Sequence, residues 1–164
     1  MNGLLFANDL SRIWRWMFHV ILLGSEMDRT QLQQLAELRL EDAEVLLTAS
    51  RWGAGYYLLG YCIECALKAC IAKQFLADEV PDKKLVNDFY THRLDQLLTI
   101  SGVKSELERR AKTDTNFEIN WNTVRDWNET IRYELAVTEA MARGMYEAVT
   151  NGASGILPWL KTQW

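Results

Sequence analysis

The chain has 164 residues, 18 Lys and Arg against 22 Asp and Glu for a formal net charge of −4, and it is 49% hydrophobic and 24% charged. This composition supports one globular domain with a real core and excludes a disordered, collagen-like or disulfide-stapled chain. The mild negative charge excludes a polybasic binder of nucleic acid or anionic membrane, so any phosphate site has to be local.

Residues 1–26 carry an apolar stretch over 13–23, interrupted by Arg15 and His19, which is too short and too polar to span a bilayer. Asp9 before the stretch, and the lack of a small-residue cleavage site after it, argue against a signal peptide. The segment reads either as an accessory amphipathic helix or as sequence translated ahead of a true start at Met27. The second reading is favoured, because a helix start (Asp28 or Thr30 followed by a periodic pattern) begins there. The folded domain is therefore expected over 27–164.

Over 28–50, Leu32, Leu35, Leu38, Ala43, Leu46, Leu47 and Ala49 recur at mostly three- and four-residue steps, the pattern of an amphipathic helix with one buried face. Glu41, Asp42 and Glu44 read as its solvated side. Arg51, Trp52 and Gly53 make a break, and 54–75 is then apolar nearly all round, with Glu64 and Lys68 the main interruptions, as expected of a central helix. Residues 78–91 read as a charged loop. Two short helices are expected over 92–100 and 103–111, and 113–120 reads as a polar connector. A long helical pattern then runs over 121–150, stopped by Asn151, Gly152 and Gly155, and a short apolar tail ends in Trp159 and Trp164. With no sustained alternation anywhere, the fold class is all-α: an antiparallel bundle of about five helices.

The three cysteines, Cys62, Cys65 and Cys70, fall within one apolar run and lack a second Cys pair or His pair to complete a metal site. They read as small buried hydrophobes in a reduced, cytoplasmic compartment. No phosphate loop, metalloprotease motif or nucleophile elbow is present, and neither a metal nor a cofactor is expected.

Residues 60–69 read GYCIECALKA, and Gly60, Tyr61, Glu64, Cys65, Ala66, Leu67, Lys68 and Ala69 resemble the GYxxECALKA second helix of HEPN domains (higher eukaryotes and prokaryotes nucleotide-binding). The segment with His92, Leu94 and Leu97 resembles that family's H-x-L-x-x-L stretch, and Trp127 to Tyr133 its W…RY signature. The resemblance covers most of 27–160 in the right order. It implies a HEPN-like bundle, a homodimer, and a context beside a small nucleotidyltransferase in a bacterial toxin–antitoxin or stress system.

RNA-cleaving members of that family resemble one another in an Arg, usually followed by a polar residue, with four to six residues between it and a His on the last long helix. Such a pair makes chemical sense across a two-fold dimer, with His moving a proton and Arg stabilising charge on phosphate. Here Arg132 is followed by Tyr133, and Val137, Thr138 and Glu139 stand where the His would fall. No catalytic residue is therefore assigned. A ribonuclease using Arg132 without the usual histidine is one alternative reading, and a structural protein-interaction module is another.

Ligand-binding candidates are Trp121, Arg125, Asn128 and Arg132, whose four-, three- and four-residue steps place them on one stripe of the expected long helix, together with Tyr133 and His92. Guanidinium groups grip phosphate bidentately, and an indole can stack a base. The competing reading makes the Trp core and pairs the arginines with Asp126, Glu129 or Glu118. His92 opens a short helix, so it is expected to cap it or to bond a neighbouring carbonyl. Glu64 and Lys68, four apart in an apolar helix, are expected to form a structural core pair. The function expected is a non-catalytic nucleotide- or RNA-associated binding module that engages no membrane. Deleting 1–26 should leave a cooperatively unfolding bundle, checked by thermal melting; loss of cooperativity would place the segment in the core.

Overall fold

A computed structural model describes residues 27–75, 80 and 82–164, and the expectations for 1–26 lie outside the described residues. Asp28 starts α1 (Arg29–Thr48) through a capping box: its carboxylate accepts from the Gln31 N–H at 2.7 Å, and the Gln31 side-chain oxygen accepts from the Asp28 N–H at 2.9 Å. Ser50, at φ 58°, turns the chain into α2 (Trp52–Ala72). The two helices approach closely where Gly55 faces Leu47; a Cβ there would lie 2.7 Å from Leu47 Cδ2.

As its composition demands, α2 is buried nearly all round, with Leu59, Cys62, Ile63, Ala66, Leu67, Cys70 and Ile71 in the core. The cysteines are free thiols. Burial, the largest effect on each, pushes the Cys62 thiol far up and the Cys65 and Cys70 thiols up to about 11, so all three are protonated and unreactive at neutral pH.

The remaining helices wrap this axis. Within the expected loop lies α3 (Lys83–Phe89), started by Asp82, which accepts from the Leu85 N–H at 2.9 Å. It is followed by α4 (Leu94–Ile100) and α5 (Lys104–Ala111). The expected connector over 113–120 is instead mostly helix: Asp114 caps α6 (Thr115–Arg125), accepting from the Phe117 N–H at 3.0 Å. After α7 (Glu139–Thr150) comes α8 (Ile156–Lys161), whose Trp159 packs edge-on against Phe117 of α6 with ring centroids 5.4 Å apart. The described residues form an all-α bundle of eight α-helices with one 3₁₀ turn, and no described helix is long and apolar enough to cross a membrane.

The expected long helix over 121–150 is a correction. It breaks into α6, a 3₁₀ turn (Glu129–Tyr133), an extended stretch and α7. Two side chains stop it. Asn128, in an extended conformation, accepts from the Thr130 N–H at 3.0 Å, and Thr138 caps α7 by accepting from the Met141 N–H at 3.3 Å. The apolar periodicity of Val124, Trp127, Ile131 and Leu135 across the break is coincidental, since Leu135 stands fully exposed.

What holds the break in place is Trp127, 2% exposed, whose indole lies on α2 where Gly60 has no side chain. A Cβ on Gly60 would overlap that ring. Gly60→Ala should therefore destabilise the fold by about 1–3 kcal/mol despite alanine's better helix propensity. In urea unfolding, the loss should be smaller when Trp127→Leu is already present, because the two changes remove one contact.

Candidate functional site

One stripe of α2 carries Tyr57, Tyr61, Glu64 and Lys68 at four-, three- and four-residue steps, about 16 Å end to end at the helical rise. Everything of chemical interest in the 3₁₀ turn and in the α3–α4 link meets this stripe. Tyr57 and Tyr61 pack edge-on at 5.1 Å, and the Trp127 ring lies 6.0 Å from the first and 5.6 Å from the second. The Trp127 indole N–H is buried without a partner among the described residues.

Glu64 is the most deeply placed charge in the site. Its carboxylate side chain is 3% exposed and accepts from Lys68 Nζ at 2.8 Å, so the expected pair is present. The Lys68 side chain is 12% exposed and lies 5.4 Å from the Phe89 ring centre. A third partner was not legible in the spacing. His92 Nδ1 sits 3.0 Å from both Glu64 oxygens, and its ring lies 6.1 Å from that of Tyr61.

This corrects the expectation for His92. It neither caps a helix nor bonds a carbonyl; Arg93 is the N-cap of α4, and His92 crosses to α2 because Glu64 needs a second donor once Lys68 has satisfied one oxygen. Burial first, then the Tyr57 hydroxyl and the Glu64 charge, push the Tyr61 phenol up to about 12, with Arg132 opposing.

The expected stripe of Trp121, Arg125, Asn128 and Arg132 does not exist, because the helix that would carry it is broken. Trp121 is core. Arg125 closes α6 and pairs with Asp126 at 3.7 Å; Asn128 is spent on capping the 3₁₀ turn. Arg132 and Tyr133 remain at the surface of that turn, and there the structure brings Arg132 to the α2 stripe rather than to its expected neighbours. The guanidinium lies 4.8 Å from the Tyr133 ring centre, and hydrogen bonding to Tyr133 first and Tyr57 second holds its pKa above the ordinary arginine value. Arg93 and Arg125 pair with Asp95 at 3.1 Å and Asp126 at 3.7 Å, whereas Arg132 pairs with no carboxylate among the described residues.

Tyr57 and Trp127 are site residues that the sequence reading did not assign. The signal that could have found Tyr57 is its place in the same helical register as Tyr61, Glu64 and Lys68. Among the described residues, no group of three or more His, Cys, Asp or Glu could hold a metal ion. The chemistry on offer is thus a free guanidinium, an aromatic wall and an imidazole backed by a carboxylate, all on one side of a helical bundle. No protein-family model, no curated protein and no solved structure matches the chain.

Removing one partner of a buried pair strands the other. Lys68→Met should cost about 3 kcal/mol in urea unfolding, at the low end for such pairs because His92 still faces Glu64. Adding Glu64→Leu should restore most of it; a double variant as unstable as the single would show that the lysine stem, not the pairing, carries the stability.

Proposed function

We propose that this protein is a non-catalytic binding module for a nucleotide or RNA, with Arg132 as the phosphate contact. The carrying observation is that Arg132 is an exposed guanidinium set 4.8 Å from the Tyr133 ring centre, beside the α2 stripe, and free of any described carboxylate. A guanidinium fork matches phosphate oxygens bidentately, and the exposed Tyr133 ring offers a base a surface to stack on. A net charge of −4 makes such a local grip the form that phosphate binding has to take.

The reading extends to a HEPN-like homodimer working beside a small nucleotidyltransferase in a bacterial toxin–antitoxin or stress system. Supporting that likeness, the three separate segments that resemble the family converge in space. Glu64 of the GYxxECALKA helix meets His92 at 3.0 Å, and Tyr61 of the same helix meets Trp127 at 5.6 Å between ring centres. The absence of a histidine at Val137, Thr138 or Glu139 favours binding over cleavage, and these positions lie in the extended stretch and at the start of α7, off the Arg132 turn.

Fluorescence anisotropy with labelled octauridylate RNA tests this. The intact protein should bind, Arg132→Ala should weaken binding by about tenfold or more, and the RNA should stay intact without added metal. Metal-free cleavage that disappears in Arg132→Ala would overturn the non-catalytic reading in favour of a ribonuclease.

A further inference from the structure

The Glu64–Lys68–His92 cluster has a chemical consequence that the phosphate contact does not use. A carboxylate paired with an ammonium only accepts hydrogen bonds, so His92 Nδ1, 3.0 Å from both Glu64 oxygens, has to be the nitrogen that donates. The neutral imidazole is thereby fixed as the Nδ1–H tautomer, with its lone pair on Nε2.

The His92 side chain is 38% exposed, and Nε2 is not among the buried polar atoms left without a partner, so solvent reaches it. No hydrogen bond involves Nε2 among the described residues; both that the ring makes go through Nδ1. The protein therefore holds, at a fixed place, a hydrogen-bond acceptor with nothing to accept. It stands beside Tyr61, and Tyr61 stands beside Tyr57, on the face of α2 that meets the 3₁₀ turn carrying Arg132.

Resting on the phosphate-binding reading above, we propose that His92 is the specificity-determining residue of this site: its Nε2 accepts a hydrogen bond from a ligand hydroxyl, and so selects ribose over deoxyribose in a single-stranded ligand gripped by Arg132. A phosphate oxygen is the wrong partner for a lone pair. A hydroxyl can donate to it, and the hydroxyl that separates RNA from DNA is the 2′-OH. Glu64 acts only through the ring, as the positioning residue that keeps the acceptor on the solvent side, and Lys68 donates to the same carboxylate.

Anisotropy titrations of labelled octauridylate and its 2′-deoxy counterpart read the effect as a ratio of dissociation constants. Wild-type protein should prefer the ribose form by about three- to tenfold, the worth of one hydrogen bond. His92→Asn retains an amide donor toward Glu64 but has no Nε2, so its ratio should fall to near one. A second measurement avoids the variant altogether: a 2′-fluoro octamer keeps an acceptor at the sugar but cannot donate, so wild-type protein should bind it like the deoxy form. Equal binding of ribose and deoxyribose octamers, or tight binding of the 2′-fluoro octamer, would overturn the role of His92 while leaving the Arg132 reading intact. No binding of any octamer would overturn the phosphate-binding reading and this inference with it.

Discussion

Burying a carboxylate is expensive unless every lone pair it turns inward is met, and Glu64, in the middle of the most apolar helix of the chain, imposes that requirement on its surroundings. Lys68 meets it locally, one helical turn on. His92 meets it from 28 residues away, which makes the link before α4 a fixed part of the bundle rather than a loose connection. Because both oxygens are engaged by His92 Nδ1 and one also by Lys68, the carboxylate has little freedom to turn. The imidazole it holds is oriented just as firmly.

The second constraint is steric. Gly60 leaves a gap on α2 that one indole fills, and Trp127 fills it from just beyond the end of α6 at Arg125. Closing that gap sets the path of the 3₁₀ turn and therefore the position of Arg132 relative to Tyr57. Arg132 and His92 thus reach the same face of α2 by different routes. One arrives with a buried ring, the other with a buried charge.

Much of the bundle was legible in the sequence because it follows from local rules. The capping signal at Asp28, the apolar stripe of α1 (save Leu38 and Ala49, which are exposed), the all-round apolarity of α2 and the four-residue spacing of Glu64 and Lys68 each depend on residues within a turn or two of one another. What was not legible depends on partners distant in sequence. The periodicity of Val124, Trp127 or Asn128, Ile131 and Leu135 fits a continuous helix, and only the space above Gly60 shows why the chain leaves it. Asn128 and Thr138 were visible as cap-forming types, but a cap-forming residue inside a periodic run is ambiguous until packing decides. The same holds for His92, whose role depends on a carboxylate in another helix. The binding stripe expected of Trp121, Arg125, Asn128 and Arg132 failed for this reason, and only Arg132 and Tyr133 remained at an accessible surface beside the α2 stripe.

A protein with a net charge of −4 repels a polyanion at long range, so affinity for phosphate has to arise within a few ångströms of the contact. Pairing narrows which arginines can supply it. Arg93, Arg125 and Arg143 are each offset by a neighbouring carboxylate, and an arginine already neutralised has to break that pair before gripping a ligand. Arg132 lies instead against the Tyr133 ring, 4.8 Å from its centre, with no described carboxylate to offset its charge. Tyr61 remains a neutral phenol at physiological pH, with its pKa pushed up to about 12, so the wall between Arg132 and His92 adds no negative charge to oppose a phosphate. Selectivity at such a site comes from the fixed direction of a few groups rather than from the summed field, which is why the orientation of one imidazole carries weight here.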